Sequence, residues 1–455
     1  MKSGAIYLLA HGLVAVLGLP VLWMGEVRSW SLPARAAAAF AVGAVVLAVE
    51  STLSTMLGVD WHPAIILGPP LLLAVFMARR ARGVKSSTGR AAFRPGSGAA
   101  AFGLLVGGVA VGHLTLSLVT ARATSTDFLL FWGVKAVHFA GAKAVDPMLL
   151  RHPWFIHAQP FYPPLVPTLD AWSVLAAGHM PWRAAPLVAV LWFVAAAILI
   201  LQIQRHQIGD RNAVLVCAFW MAALSASLVS SFSGANAEAP LLLYETTAGI
   251  LLLTEGPKPD VGRRTLAGIF LAGAVLTKVE GTVGSVLLIL GTVLRDLFVA
   301  GRRLRWRETA GLLVPPVGAG LLWWSYVRQF GIPSSYSAKG RLTEIHWGKL
   351  AELAGPLVEG LSAGTAWLAW ILPLLLILGV ARQRRYGEAL PGIVASAGLF
   401  AFFVFLYLHE TTSQAMRISW EIPRISQPPL SLLIVVAALC YPPGGNQSHT
   451  QVLDN

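Results

Sequence analysis

Apolar runs of roughly 17–25 residues recur along this chain, and no other feature limits its fold so strongly. A helix of that length matches the hydrocarbon thickness of a bilayer, because each residue adds about 1.5 Å. Hydropathy places such runs near 4–24, 36–57, 63–79, 98–120, 184–204, 212–230, 237–254, 265–277, 282–297, 309–327, 365–381, 389–408 and 425–441. That pattern predicts an all-α, polytopic bundle of about thirteen transmembrane spans. With 56% of its 455 residues hydrophobic and 12% charged, the chain is no soluble globular domain. The first run, Ala5 to Met24, lacks a convincing small-residue cleavage site and reads as a retained span rather than a signal peptide. Cys217 and Cys440 both fall inside apolar runs, so neither a disulfide nor a metal framework is expected from them.

The formal net charge of +13 would point to nucleic acid in a soluble protein. Here the basic residues sit in short loops beside spans, which marks them as topology determinants next to anionic lipid, with no nucleic-acid partner. They are Arg28/Arg35, the run Arg79 to Arg94, Arg205/Arg211, Lys258/Arg263/Arg264, Arg302 to Arg307 and Arg382/Arg384/Arg385. All six groups fall on the cytoplasmic side if 163–180 does not cross. Pro164, Pro167, Asp170 and Pro181 make that segment a poor span, and it reads as a helix in the outer interface. The reading is therefore of a multi-pass protein of the inner or plasma membrane, with its conspicuous polar residues gathered at the outer face. Residues 80–97 form a basic, glycine- and serine-containing cytoplasmic linker between an N-terminal transmembrane module (1–79) and the main body (98–441). An outer loop (121–183) with juxtamembrane helices and an outer segment (328–364) belong to that body, and the tail 442–455 reads as disordered.

The outer loop is the richest in chemistry. It carries Asp127, Asp146, Lys135, Lys143, His138, His152, His157 and a Tyr162-Pro163-Pro164 turn among many aromatic residues. A loop this long is more often functional than filler, and it reads as the roof of an active site. Asp127, preceding an apolar helical run, has a plain role as a helix cap; as a catalyst it is a carboxylate able to take a proton from an acceptor hydroxyl. Glu238, with Asn236 at the mouth of a span, has a plain role as a cap that favours the helix dipole. Glu245 lies deeper in that helix, and Glu50 in another, where an ionisable group normally faces a cavity or a partner. Lys278 and Glu280, in the break LTKVEGT, place an ammonium and a carboxylate at membrane depth, and a lysine there suits a phosphate. The late loop brings His409, Glu410, Arg417, Glu421 and Arg424. Snorkelling explains Arg417 and Arg424 as well as bidentate phosphate recognition does. Trp323, Trp324 and Tyr326 read as an interfacial belt. The histidines lack the spacing of a helical zinc motif, which leaves a carboxylate-held divalent ion open.

Taken together, Asp127, the loop HPWFIHAQPFYPPLVP, the acid in NAEAPLLLY, TKVEG and the late RISWEIPRISQPPLSLL resemble the GT-C class of integral-membrane glycosyltransferases. That class includes protein O-mannosyltransferase-like and aminoarabinose-transferase-like enzymes, and the resemblance covers about residues 98–441. It implies inverting transfer of a sugar from a polyprenyl-phosphate carrier to an acceptor (glycan, lipid or protein) on the outer side. By position, Asp127 matches the acid that acts as base or orients the acceptor, and Glu238 the second acid. Tyr162 and Pro163 match the loop over the donor, and Lys278, Arg417 and Arg424 the cations at the carrier phosphate. Lys135, His152 and Glu280 are further acceptor or loop contacts. The chain departs from the class in flanking Asp127 with Thr126 and Phe128 rather than a second acid, and in placing four spans before the loop. The competing reading is a secondary transporter or lipid flippase, a class in which binding sites lie near mid-membrane.

Overall fold

The computed structural model describes residues 2–81, 93–120, 127–230, 237–255, 259–299, 305–334, 345–362, 386–409, 422 and 424–440. Among them there is no strand; every regular element is helical. The helices that position the rest are α1 (Lys2–Leu13), α2 (Leu32–Met56), α3 (Pro63–Ala81), α4 (Ser97–Thr120), α5 (Gly133–Ala142), α6 (Leu165–Ala177) and α7 (Val188–Ser230). They are followed by α8 (Glu238–Leu253), α9 (Val261–Thr277), α10 (Val279–Leu294), α11 (Trp306–Phe330), α12 (Leu350–Ser362), α13 (Tyr386–His409) and α14 (Gln427–Cys440).

Among the described residues seven helical stretches are long and apolar enough to cross a membrane: Leu32–Met56, Pro63–Arg80, Ser97–Thr120, Ala185–Ser225, Val279–Phe298, Trp306–Phe330 and Ala389–His409. Some of the thirteen expected runs take other forms. The first is α1 followed by 3-10 turns at Val14–Val16 and Leu19–Trp23, with Gly18 and Pro20 in the break. The runs 184–204 and 212–230 keep their expected break: α7 is two helices that meet at Gly209, whose positive φ (78°) glycine adopts without strain. Helices α8 and α9 have 16 and 17 residues and are shorter than a typical crossing. The expected span 365–381 lies outside the described residues, as do most of the 80–97 linker and the tail.

The N-terminal segment is built into the body. Helix α2 packs against α6, α7, α9 and α11. Its alanines Ala34, Ala37, Ala38, Ala41, Ala44 and Ala48 are all buried, and their short side chains let neighbouring backbones come close. The Tyr244 hydroxyl of α8 donates to the Ala41 carbonyl at 2.7 Å. Gly18 and Gly43 face one another, and a Cβ on Gly43 would stand 2.1 Å from the Val14 carbonyl oxygen. Gly43→Ala should therefore lower stability by about 1–3 kcal/mol, the usual cost of overpacking, read as a drop in melting temperature in detergent. Asp170, a reason to doubt a span at 163–180, is buried in α6 and accepts from the Tyr7 hydroxyl of α1 at 2.6 Å.

Helices α8, α9 and α10 run antiparallel, and each carries charged residues near both ends. At one end Glu255 takes Arg264 through both carboxylate oxygens at 2.8 Å and Arg295 at 2.7 Å. Asp296 binds the same two arginines, and Arg263 reaches Glu26 at 3.1 Å. Arg263 and Arg264, expected as plain topology charges, are thus held in ion pairs, and Arg264 is buried. At the other end stand Glu238, Lys278 and Glu280, about 24 Å away at the rise of a 16-residue helix.

Candidate functional site

The chain between α9 and α10 is a single extended residue, Lys278 (φ −159°, ψ 159°), and this break fixes the site. It holds Lys278 at the junction of two helices, with Glu280 in the first turn of α10. Glu238 opens α8 beside it. The Lys278 ammonium donates to Glu238 Oε1 at 3.1 Å and lies 3.2 Å from Glu280 Oε1. Glu238, whose sequence position suggests a helix cap, points its carboxylate at the two cations instead.

Arg424, just before α14, completes the cluster from across the bundle. Its Nε lies 3.2 Å from the same Glu238 oxygen, and its Nη1 donates to Asp127 Oδ2 at 2.5 Å. Asp127 makes no capping hydrogen bond to the Phe128–Trp132 turn that it precedes. Three carboxylates and two cations from four separate segments thus form one chain, Asp127–Arg424–Glu238–Lys278–Glu280. Burial grades along it: Glu238 and Lys278 side chains are 4% and 7% exposed, whereas Arg424 and Asp127 are 18% and 28% exposed.

A narrow cleft opens over this chain. Glu238, Glu245, Lys278, Glu280 and Arg424 line it, with apolar walls from Leu241, Leu399, Phe403, Ile425, Pro428 and Pro429. Leu241, Ile425, Pro428 and Pro429 fall within motifs already singled out, whereas Leu399 and Phe403 carried no signal in the sequence, since an apolar side chain in a span looks like any other. Glu245 is fully buried, and among the described residues neither carboxylate oxygen has a hydrogen-bond partner. Gly284 of α10 makes room for it: a Cβ there would stand 2.0 Å from Glu245 Oε1. Glu50 does not line the cleft. Among the described residues no group of three or more histidines, cysteines or acids is arranged to hold a metal ion.

The loop 127–164 lies against the cluster and is pinned from several sides. The Lys278 ammonium sits 5.9 Å from the centre of the Tyr162 ring, which stacks on Trp132 at 5.8 Å. The Lys135 ammonium, buried between Trp132 and Phe155, donates to the Gln159 carbonyl at 2.6 Å. Burial pushes that ammonium down to about 7. Trp323 donates to the Phe161 carbonyl at 2.9 Å and Tyr326 to the Val145 carbonyl at 2.7 Å. Those two rings, expected in an interfacial belt, are buried braces for the loop, while Trp324 is exposed. Thr55 at the end of α2 accepts from the Val145 amide, and Trp61 donates its amide to the Lys143 carbonyl.

Of the residues singled out in sequence, Asp127, Glu238, Lys278, Glu280 and Arg424 come together, with Tyr162 against Lys278. Pro163 is buried in the adjoining turn, and Lys135 braces the loop rather than lining the cleft. His152 is exposed at the head of the Pro153–Ala158 turn, outside the chain of ion pairs. Arg417 lies outside the described residues, as do Glu410 and Glu421. No protein-family profile, curated protein or solved structure matches the chain.

Proposed function

We propose that the cleft is the active site of a GT-C-like membrane glycosyltransferase that uses a polyprenyl-phosphate sugar. In this reading about thirteen segments cross or re-enter the membrane, and the loop 121–183 and the segment 328–364 face outside. The observation that supports it is the meeting of Arg424 and Lys278, two cations suited to a phosphate, with Glu238 in one cleft, and the pairing of Asp127 with Arg424 at its edge. Asp127 takes the proton of an acceptor hydroxyl, and the oxygen attacks the anomeric carbon. The bond from that carbon to the phosphate oxygen breaks, and its electron pair stays on the phosphate, opposite Arg424 and Lys278. Cations placed where charge develops, in a site poor in water, supply the largest stabilisation such a reaction can draw on. Tyr162 and its loop supply orientation.

The test is binding of a polyprenyl phosphate to the detergent-purified protein, with the matching polyprenol as control. Wild type is expected to hold the phosphate and ignore the alcohol, and Arg424→Gln should weaken binding about tenfold or more. Equal binding of both lipids refutes the assignment. In cells, Asp127→Asn should abolish transfer while leaving protein level and membrane insertion intact. Sidedness is read separately: Trp154 is 88% exposed, and a cysteine placed there should react with an impermeant maleimide added to intact cells. Labelling only after lysis would put the loop in the cytosol and end the proposal.

A second reading has one observation in its favour. Glu245, buried within α8 with no hydrogen-bond partner among the described residues, is the kind of intramembrane acid that carriers use for a coupling ion. Solute uptake by proteoliposomes, with no phosphate-dependent lipid binding, would favour a transporter.

A further inference from the structure

Arg424 is shared between two acids. Nη1 is bonded to Asp127 and Nε faces Glu238, while Lys278 faces that same Glu238 oxygen. One carboxylate oxygen, Glu238 Oε1, therefore sits between the two cations, where an oxygen of a bound phosphate would also be drawn. The more exposed end of the chain is the Arg424–Asp127 pair, so an anion arriving from solvent or headgroups meets it first. A phosphate cannot settle on that edge of the guanidinium while the Asp127 carboxylate holds it. Two anions side by side on one cation repel, and the weaker-held one gives way. Glu238 is buried and has Lys278 as well, whereas Asp127 is more exposed, begins a turn, and has no capping bond to hold it.

We infer that Asp127 and the incoming phosphate compete for Arg424, so that binding of the lipid phosphate releases the Asp127 carboxylate. The inference rests on the proposed function and adds regulation to it. In the empty site the base is masked by its own counter-ion. Once the donor phosphate takes the guanidinium, Asp127 loses its strongest cation and becomes free to accept a proton. Arg424 thus couples donor occupancy to the availability of the base, and an acceptor alone meets an aspartate already engaged.

The experiment compares polyprenyl phosphate affinity in wild type, Asp127→Asn and Asp127→Glu, measured by titration of the detergent-purified full chain. Asparagine keeps the shape and removes the competing charge, so affinity should rise about two- to fivefold, the worth of a partly exposed ion pair. Glutamate keeps the charge and should return affinity to the wild-type value. In cells Asp127→Asn should still fail to transfer, which separates tighter binding from lost chemistry. A merely structural Asp127 would lose both together. Unchanged or weaker binding by Asp127→Asn, with wild type binding normally, overturns this inference and leaves the proposed function standing. Failure of wild type itself to bind overturns both. Should Asp127→Asn fold poorly, Asp127→Ser removes the same charge and is judged by the same shift.

Discussion

Lys278→Met should destabilise the protein by about 3–5 kcal/mol, the usual cost of leaving a buried charge without its partner. The ammonium bridges Glu238 and Glu280, and the three side chains are 4–11% exposed. The loss does not fall evenly. Glu238 retains Arg424 at 3.2 Å, so most of the penalty lands on Glu280, whose second oxygen has no partner among the described residues. The N-terminus of α10 offsets only about 0.3–1 kcal/mol of it. Neutralising that acid should therefore recover much of the loss, and Lys278→Met/Glu280→Gln should melt well above Lys278→Met alone. Thermal unfolding in detergent, followed by tryptophan fluorescence, reads both. If Lys278→Met melts with wild type, the ion pairs contribute nothing to stability. If the double variant melts lower still, Glu280 is held by something other than Lys278.

Much of the cleft was legible in the sequence because charge inside an apolar chain is conspicuous. Lys278 and Glu280 break a long hydrophobic stretch, Glu238 opens one, and Arg424 precedes another. What the sequence could not carry is pairing. Arg424 and Asp127 are 297 positions apart, and nothing local to either names the other. The role of α2 was hidden for a related reason. Its alanines read as an ordinary span, yet their small size is what lets it run through the middle of the bundle. Hydropathy also overstates continuity: the run 4–24 satisfies a window average, although its first helix ends at Leu13 and 3-10 turns follow. Arg263 and Arg264 show the same limit for charge. A charge count sees two cations in a short loop, and it does not see Glu26, Glu255 and Asp296 arriving from other helices.

That opposite end yields a second large effect. Glu255 is 1% exposed and is the acceptor that two buried arginines share. Glu255→Gln leaves Arg264 and Arg295 with Asp296 alone, and the expected loss is again about 3–5 kcal/mol, since a lone carboxylate cannot neutralise two guanidinium groups. Arg295 still donates to the Leu252 carbonyl at 2.6 Å, a neutral bond that satisfies one N–H and compensates no charge. The loss should be confined to stability. The network and the cleft sit at opposite ends of α8, about 24 Å apart, and are joined by packed helix rather than by a continuous chain of charges. The folded fraction of Glu255→Gln should therefore bind polyprenyl phosphate with wild-type affinity while melting at a lower temperature. Weaker lipid binding at unchanged melting temperature would reverse the assignment, since it would mean that α8 to α10 shift as a unit and that the arginine network sets the geometry of the cleft.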